Sequence, residues 1–548
     1  MLPCLLFEDD HLLVVNKPPG LNTHAPSPYA GEGLYEWLRG REPRWASLAI
    51  IHRLDKETSG ALVFSKTKEA NRSLTAQFTN REVSKKYVLL AERRPRRSQF
   101  TATSSLVRAG EKYVSRANHP DALVAETRFR VVGPGERAAR EEGLRGSLPG
   151  VISSAAETTL IEAEPLTGRT HQIRVHAAEH GFPVLGDILY GGSPAPRVFL
   201  HAEELAFSHP VTGEPLRFSA PADFTANPRQ QLRAALIDPV EIDSFRIVNG
   251  ASDGWPGWYV DKLGGFVLSQ SDQPLNVQQK TEATQLIRGS ARAVYHKTLR
   301  REPGRSIEET SPELVIGKPS PARFHILENG IQFELSFNEG YSVGLFLDQR
   351  DNRRRHLTGY IAPDWFLSPP PGSGKLEVLN TFAYTCGFSV CAAKAGARTT
   401  SIDLSKKYLD WGRRNFELNH LDPAGHDFIY GDVFDWMRRL ARKGRLFDVI
   451  LLDPPTFSQS KASGIFRAEK DYGKLVTAAL PLLKAKGVLF ASTNAAEWKP
   501  EEFMKTVQQA IRAANRQLLK HYYVPQPPDF PISRPEPVYL KTAWFSVG

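Results

Sequence analysis

From Lys375 to the end of the chain, short apolar segments alternate with segments of helical character. Residues 376–380 read as a short buried strand, residues 388–395 as a helix, and residues 399–402 as a second strand that ends at Asp403. Two strands joined through a helix lie parallel in one sheet, because the helix carries the chain back over the face of that sheet. This part of the chain therefore predicts an α/β, Rossmann-like fold.

The loop between the first strand and its helix, residues 381–387, lies where a sheet of this kind binds a nucleotide. Asp403 follows about 20 residues later, a spacing that suits a ribose hydroxyl pair. The loop has one glycine, Gly387, where a dinucleotide site usually has three. A pyrophosphate cradle, and with it a nicotinamide enzyme, is therefore the weaker interpretation.

The end of a later strand separates these interpretations. Residues 447–452 form an apolar run that leads into Asp453, Pro454, Pro455, Thr456 and Phe457. An acid, two prolines and an aromatic residue at the end of a parallel strand resemble the fourth motif of class I S-adenosylmethionine-dependent methyltransferases. The resemblance implies that Asp453, Pro454, Pro455 and Phe457 form the methyl-transfer site, with rigid prolines and a ring that stacks on the target base.

The same resemblance implies S-adenosyl-L-methionine as the cofactor and indicates which residues contact it. Asp432 occupies the position that contacts the adenine amino group in that superfamily. The full expected set is Arg350, Asn380, Phe382, Tyr384, Thr385, Gly387, Asp403, Asp432 and Val433. Methyl transfer from a sulfonium asks little of side chains, because positioning of the two reactants supplies most of the rate.

A finer resemblance concerns the methylated atom. Residues 344–353 and 528–531 resemble segments of bacterial large-subunit rRNA methyltransferases that modify cytosine C5 or guanine N7. Methylation of cytosine at carbon needs a thiolate that first adds to the ring. The strand expected over residues 487–494, where such proteins would present a cysteine, has none. We therefore expect a base nitrogen, guanine N7 or an exocyclic amine, and keep cytosine C5 as the alternative.

A second constellation lies near the N-terminus. Residues 52–60 read HRLDKETSG, which places Arg53 and Asp55 beside a Thr-Ser-Gly turn and ahead of an apolar run. This string resembles the signature of the RluA-type pseudouridine synthases, which isomerise uridine within RNA. Residues 6–21 read as a strand entering a Pro-Gly turn and resemble the start of that family's catalytic domain. The resemblance extends over roughly residues 1–225 through further segments at 85–88, 168–176, 183–191 and 200–214.

The resemblance implies a role for each residue of this site. Asp55 is the expected catalytic acid, and Arg174 is expected to pair with it and lower its pKa, because an opposite charge favours the ionised carboxylate. Tyr87 is expected to stack on the uracil and to help remove the proton from its new bonding carbon. Arg53 is expected to fill the space that the base vacates and to hold a phosphate. We expect neither a cofactor nor a metal at this site.

Length and charge bound the organisation of the chain. A chain of 548 residues is too long for one core. We predict an α+β pseudouridine synthase domain with a mixed, mainly antiparallel sheet at 1–238, a small α/β linking domain at 239–325 and the methyltransferase domain at 326–548. The net charge of +10 favours a polyanionic partner such as RNA, and arginines cluster at residues 93–97.

The remaining features concern the compartment and the loops. Three cysteines in so long a chain argue against a disulfide framework and for a reducing compartment. We recognise neither a signal peptide nor an apolar run long enough to span a bilayer, so we expect a cytoplasmic protein without membrane contact. Residues 133–155 and 368–374 are expected to be surface loops.

Together these patterns predict a bifunctional enzyme that isomerises uridine in RNA and methylates a base, with large-subunit rRNA as the preferred substrate. Two alternatives stay open. One is tRNA as the substrate of the first site, and the other is an RNA-binding assembly protein in which one site is inactive. The oligomeric state is left undetermined.

Overall fold

The computed structural model describes residues 2–31, 33–117, 119–136, 158–289, 291–299, 310–340, 342–368, 374–460 and 464–548. Most of both segments expected to be surface loops, 133–155 and 368–374, lies outside the described residues. The chain divides into two compact units. The first comprises residues 1–25, 33–38 and 47–237, and the second comprises residues 26–32, 39–46 and 238–548. The three domain boundaries named above stay a prediction.

The first unit is built on one mixed, mainly antiparallel sheet. Its strands are β1 Leu5–Glu8, β2 Leu12–Lys17, β3 Ala49–Ile50, β4 Ser59–Ser65, β5 Ser84–Ala91, β6 Gln99–Ala109, β7 Lys112–Ser115, β8 Leu123–Val131, β9 Thr159–Pro165, β10 Leu200–Ser208 and β11 Pro215–Ser219. They pair in the order β1-β2-β4-β10-β5-β9-β8-β6-β7, with β3 beside β4 and β11 beside β10. Strands β4 and β10 are parallel. The helices in this part of the chain are α1 Leu34–Arg39, α2 Lys68–Thr79, α3 Gln172–Glu179 and α4 Pro228–Leu236.

The segment from residue 6 to the Pro-Gly turn is two strands, of which β2 leads into that turn as expected. The expectation of one continuous strand was wrong. A tight turn at Asp9 separates β1 from β2. Asp9 Oδ1 accepts hydrogen bonds from the backbone N–H groups of His11 and Leu12, both at 2.7 Å. An aspartate side chain that binds the backbone two and three residues further on favours a turn over an extended strand.

The centre of this sheet positions the residues of the first expected site. Strand β4 is buried along its whole length and pairs with β2 on one side and β10 on the other. The loop that precedes β4, which holds Asp55, is therefore anchored at a rigid edge. Tyr87 lies on β5 opposite Ala202 of β10 and Ala163 of β9, and Arg174 lies on α3.

The second unit contains a five-stranded sheet that precedes the large one. Its strands, paired in chain order, are β12 Ser244–Asn249, β13 Trp258–Leu263, β14 Phe266–Ser271, β15 Ala293–Thr298 and β16 Glu313–Gly317. Strands β14 and β15 are parallel, and helix α5 Val277–Gly289 lies between them in the chain. A hairpin of β17 Phe324–Glu328 and β18 Ile331–Leu335 follows. It turns at Asn329 and Gly330, with φ of 52° and 74°, as a tight two-residue hairpin turn requires.

The C-terminal part of this unit is a doubly wound α/β sheet, the Rossmann-like fold that the sequence predicted. Its elements are α6 Arg350–Thr358, β19 Tyr360–Ala362, β20 Trp365–Phe366, β21 Glu377–Thr381, α7 Gly387–Lys394, β22 Arg398–Asp403, α8 Lys406–Leu418, β23 Asp427–Tyr430, α9 Val433–Arg442, β24 Phe447–Leu452, β25 Phe457–Ser460, β26 Gly464–Arg467, α10 Ala468–Ala479, β27 Leu483–Thr493, α11 Pro500–Ala513, β28 Leu518–Val524 and β29 Lys541–Val547.

The order of the seven strands in the large sheet is β23-β22-β21-β24-β27-β29-β28. The first five are parallel, and β29 runs antiparallel to both of its neighbours. Chain direction across the sheet reverses between β21 and β24, and ligands bind beyond the carboxyl ends of strands at such a reversal. Over the described ranges, no helix is both long enough and apolar enough to cross a bilayer.

Two candidate active sites

The first candidate site is the loop that holds Asp55. Thr23 clamps the preceding residue, because its hydroxyl donates to the Leu54 carbonyl at 2.9 Å and accepts from the Leu54 N–H at 3.1 Å. The Asp55 carbonyl accepts a hydrogen bond from the N–H of Thr58 at 3.1 Å, which closes a turn. A fixed backbone thus presents the Asp55 side chain, which is 26% exposed.

Arg174 on α3 contacts this carboxylate. Its Nη1 lies 3.2 Å from Asp55 Oδ2, while its Nε and Nη2 donate to the two carboxylate oxygens of Asp187 at 2.7 and 2.8 Å. Asp187 is buried, so this two-point ion pair fixes the direction of the guanidinium. The guanidinium also lies over the ring of Tyr190, 5.1 Å from its centroid.

Tyr87 and Arg53 have different surroundings. Tyr87 is half-buried, and burial together with the negative charge of Asp55 raises its pKa above the ordinary value. Arg53 is exposed, and its Nη1 lies 3.3 Å from His24 Nε2. The structure therefore brings Asp55, Arg174 and Tyr87 together and leaves the Arg53 guanidinium in solvent.

A buried polar layer, not predicted from the sequence, supports the Asp55 loop. Lys17 is fully buried, and its Nζ donates to three backbone carbonyls, including that of Lys56 at 3.2 Å. Burial lowers the pKa of Lys17 to about 7. Arg197 Nη2 donates to Ser59 Oγ at 2.5 Å, and Ser59 Oγ lies 2.7 Å from His201 Nδ1. A lysine as the last residue of β2, one position beyond the residue that follows its apolar run, is the signal that could have revealed this layer.

The second candidate site is the loop after β21. Asp403, at the end of β22, accepts hydrogen bonds from the backbone N–H groups of Tyr384 and Ser405, both at 2.8 Å. Burial raises the pKa of Asp403 above its ordinary value. Phe382, Tyr384 and Cys386 have φ of 57°, 49° and 63°, a left-handed backbone that bulky side chains rarely adopt. Strained backbone of this kind concentrates at ligand sites.

Asn380 and Thr385, both expected to contact the cofactor, are buried and bonded inside the fold. Asn380 Nδ2 donates to Ser389 Oγ on α7 at 2.9 Å. Thr385 Oγ1 donates to the carbonyl of Gly344 at 2.5 Å. These side chains hold the loop and its helix in place, so the geometry favours a supporting role over a direct contact.

The other expected cofactor residues lie at element ends. Gly387 begins α7 in a crowded place, where a Cβ would lie 3.0 Å from Leu345 Cδ1. Asp432 is half-buried and caps α9, accepting a hydrogen bond from the N–H of Asp435 at 3.0 Å. Val433 directly follows it and is buried.

Arg350 is placed differently from what a cofactor contact would need. It is buried, and its Nη1 and Nη2 donate to the carboxylate of Asp529 at 3.0 and 2.5 Å. Because both terminal nitrogens are committed to this ion pair, the structure favours a role in joining two distant segments over binding of a cofactor.

Asp453 lies at the end of β24, next to the reversal of the sheet. Gln349 Nε2 donates to Asp453 Oδ2 at 3.2 Å and to Ser492 Oγ at 2.7 Å. Burial, reinforced by the nearby carboxylate of Asp348, raises the pKa of Asp453 to about 6. An acid in this state accepts hydrogen bonds near neutral pH and takes up a proton under mildly acidic conditions.

The residues that follow Asp453 turn outward. Pro454 is buried, whereas Pro455 is exposed. Phe457 begins β25 and is 53% exposed, so its ring is available as a contact surface. The structure therefore offers a rigid turn with an aromatic face beside a half-buried acid.

The surroundings of the cysteines disfavour a role as nucleophile. All three, Cys4, Cys386 and Cys391, are buried, and none is in a disulfide. Burial raises the pKa of both Cys386 and Cys391 to about 12, so these thiols stay protonated near neutral pH. In the part of the chain that the structure describes, no group of three His, Cys, Asp or Glu residues is arranged to hold a metal ion.

Comparison with known proteins finds relatives of both halves. Residues 11–179 match the family model for RNA pseudouridylate synthase, and residues 266–545 match that for S-adenosylmethionine-dependent methyltransferase. The ribosomal RNA large subunit methyltransferase of Deinococcus radiodurans is 32% identical over 329 residues, which cover 58% of this chain and 76% of that protein. Ribosomal RNA large subunit methyltransferase I of Klebsiella pneumoniae is 32% identical over 322 residues, 57% of this chain and 76% of that protein.

Among solved structures, human RNA pseudouridylate synthase domain containing 1 is 26% identical and covers 40% of this chain and 83% of its own, with a TM-score of 0.32. The assignment rests on the family models and on the curated relatives. The methyltransferase match contains Asp403 and Asp453, and the pseudouridylate synthase match contains Asp55 and Arg174. The chain belongs to the S-adenosylmethionine-dependent methyltransferase family and carries, ahead of that part, an RNA pseudouridylate synthase domain.

Proposed function

We propose that this chain is a bifunctional enzyme that acts on large-subunit rRNA. It converts a uridine to pseudouridine, and it methylates a nitrogen atom of a guanine base in the same class of RNA. The two relatives described above are named as large-subunit rRNA methyltransferases and share 76% of their length with this chain, which supports rRNA as the substrate. The observation that favours methylation at a base nitrogen over methylation at cytosine C5 is that all three cysteines are buried.

The first reaction is an isomerisation that needs no cofactor. The bond between uracil N1 and the ribose breaks, a bond from uracil C5 to the ribose forms, C5 loses a proton and N1 gains one. The nucleotide must leave its stack to reach Asp55. There Asp55, held by Arg174, acts on the sugar or the base as the glycosidic bond breaks.

Tyr87 is better suited to stacking than to proton removal. Burial and the charge of Asp55 raise its pKa, which disfavours the phenolate form that would take a proton from carbon. Its half-buried ring on β5 is rigidly held and lies close enough to Asp55 to feel its charge. We therefore assign Tyr87 to the face of the uracil. Arg53, in solvent beside the acid, suits a phosphate contact.

The residues of the second site fit the cofactor that the family uses. Each oxygen of the Asp403 carboxylate accepts one backbone N–H, so each retains a lone pair for a ribose hydroxyl. Asp432, at the end of the next strand, would hold the adenine amino group. When bound, S-adenosylmethionine supplies an activated methyl group. The chain's own task is then to position the base.

The target base would be held by a ring and an acid. Phe457 is exposed enough to stack on a base, and Asp453 can accept a hydrogen bond from a base N–H. Guanine offers two such donors on one edge, its ring N–H and its amino group, so the half-buried carboxylate of Asp453 favours guanine over uracil or adenine. The nitrogen that receives the methyl group is then guanine N7 or the exocyclic amine.

RNA binding has a candidate surface in the first unit. Arg93, Arg94, Arg96 and Arg97 are exposed on the loop that directly follows β5, the strand that carries Tyr87. Lysines and arginines that contact phosphates release counterions, which makes affinity fall with salt. A polyanionic substrate and three cysteines outside any disulfide fit a cytoplasmic location.

The proposal is tested by mass spectrometry of nucleosides from 23S-type rRNA and tRNA of a strain that lacks this gene, mapped to position. We expect one pseudouridine and one methylguanosine to be missing from the large-subunit rRNA. Complementation with an Asp55→Asn variant should restore only the methyl group, and Asp453→Ala only the pseudouridine. Loss of 5-methylcytidine, a missing pseudouridine in tRNA, or no missing nucleoside would each contradict the corresponding part.

A further inference from the structure

Two side chains face the same oxygen of Asp55. Arg174 Nη1 lies 3.2 Å from Oδ2, and His171 Nε2 lies 3.7 Å from that same atom. Among the residues that the structure describes, no side chain is hydrogen-bonded to Oδ1. Oδ1 is therefore the oxygen left to face a nucleotide.

The imidazole of His171 is oriented from its other side by Tyr190. The Tyr190 hydroxyl oxygen accepts the backbone N–H of Tyr113 at 2.8 Å and lies 2.8 Å from His171 Nδ1. With that N–H on its oxygen, the phenol can donate its own hydrogen to Nδ1. A neutral imidazole then carries its hydrogen on Nε2. The opposite tautomer would set a bare nitrogen lone pair against the carboxylate of Asp55.

We propose that His171 is a positioning residue for pseudouridine formation, whose Nε2–H acts with Arg174 to hold Asp55 through Oδ2 and leaves Oδ1 for the chemistry. This role rests on the first activity proposed above. His171 has a left-handed backbone, φ 56°, directly before α3, the helix that carries Arg174. Both donors thus belong to one rigid element, and strain of this kind is kept where the surrounding structure fixes it.

The charges around the ring support a neutral imidazole. Burial lowers the pKa of His171 below its ordinary value, with Arg174 acting in the same direction and Asp55 and Asp187 acting against it. Burial also raises the pKa of Tyr190, so its phenol remains a donor near neutral pH. Protonation of His171 would place a hydrogen on Nδ1 as well, so the Tyr190 oxygen would have to accept that hydrogen instead of donating its own.

Two replacements of His171 separate the N–H donor from the space that the ring fills. Glutamine keeps a donor near the position of Nε2, whereas leucine has none, and both face the same left-handed backbone penalty. The substrate is large-subunit rRNA from cells that lack this gene, labelled with tritium at uracil C5. From the rate of tritium release we expect His171→Leu to lower kcat about 10- to 100-fold and to leave KM unchanged. In His171→Gln we expect kcat to stay within about threefold of the wild-type value.

Nitrogen-15 NMR of histidine-labelled protein tests the hydrogen bond between His171 Nδ1 and the Tyr190 hydroxyl without turnover. The signal of His171 is assigned by its loss in His171→Gln. We expect the Nε2–H tautomer in the wild-type chain and a mixture of tautomers in Tyr190→Phe. An Nδ1–H tautomer in the wild-type chain, or equal kcat for the leucine and glutamine variants, would overturn the proposal. If the wild-type enzyme releases no tritium from this RNA, the proposed first activity fails, while the NMR result still decides whether the contact exists.

Discussion

Arg174 reaches Asp55 with a single guanidinium nitrogen, Nη1, at 3.2 Å from Oδ2. Two other nitrogens of that guanidinium, Nε and Nη2, bind the buried carboxylate of Asp187 at 2.7 and 2.8 Å. Asp187 therefore sets the angle at which the arginine meets Asp55, the catalytic acid proposed above.

Replacement of that buried carboxylate should slow pseudouridine formation and leave methylation intact. In Asp187→Asn the side chain keeps its size but loses its charge, so Arg174 is held less firmly. We expect kcat for tritium release to fall about 10- to 100-fold. As a control, Glu204→Gln changes a carboxylate that pairs with the exposed Arg217 at 2.5 Å, and it should leave kcat unchanged. Full activity of Asp187→Asn would show that other contacts hold Arg174.

The raised pKa of Asp453 makes a prediction about stability. Its pKa is about 6 in the folded chain against an ordinary value of 3.8, so the folded state binds more protons between these values. Ionised Asp453 therefore destabilises the fold by about 3 kcal/mol at pH 7. We expect Asp453→Asn to abolish methylation. We also expect it to raise the free energy of unfolding, by the full amount above pH 6 and by nothing below about pH 4.

Urea unfolding of the Asp453→Asn variant across this pH range checks that prediction. Asp471 is the control, because its hydrogen bond with Lys474 lowers its pKa, which is the opposite sign. At pH 7 the free energy of unfolding of Asp471→Asn should therefore equal that of the wild-type chain or be slightly lower. A loss of stability in Asp453→Asn at pH 7 would contradict the raised pKa.

His201 predicts acid sensitivity of the first unit. Burial lowers its pKa to about 4, while an unfolded chain binds the proton near about pH 6.5. The stability is then fully present above pH 6.5 and is lost as the pH falls toward 4, by about 3 kcal/mol in total. His201→Gln keeps an acceptor for Ser59 and a donor for the carbonyl of Ala220 but does not titrate. In this variant the free energy of unfolding, measured with urea, should fall less steeply as the pH decreases from 6.5 to 4. An unchanged pH dependence would contradict the lowered pKa of His201.

The double variant Cys386→Ala and Cys391→Ala tests the choice of a base nitrogen. If no thiolate takes part, methylation of rRNA should persist, because both thiols are buried and protonated. The lost sulfur atoms should reduce the free energy of unfolding by about 1–3 kcal/mol. Methyl transfer from labelled S-adenosylmethionine and thermal unfolding are measured together. A folded variant without methyl transfer would favour attack by sulfur and with it cytosine C5.

Much of the α/β part could be predicted because its signals are local. Strand β24 spans the apolar run that leads to Asp453, and β22 ends at Asp403. An apolar strand followed by an acid and a turn is determined by residues that are neighbours in the chain. The single strand expected near the N-terminus failed for an equally local reason, the side chain of Asp9.

The contacts that hold the sites in place were not accessible from the sequence, because they join residues far apart in the chain. Arg350 and Asp529 are separated by 179 positions, and no local pattern links them. Arg197 and Ser59 are separated by 138 positions. The pairing of Asp187 with Arg174 spans 13 positions, but the sequence gives no reason to prefer this acid over others nearby.

Strand β29 has a consequence for how the protein is made. Residues 541–547 form the strand between β27 and β28, and both of those strands leave the ribosome earlier. Until residues 541–547 are available to pair, β27 has an open edge and β28 lacks the strand it pairs with, and unpaired strands invite aggregation. A chaperone that binds nascent chains should therefore associate with this protein after residues 483–524 have emerged and before residues 541–547 follow.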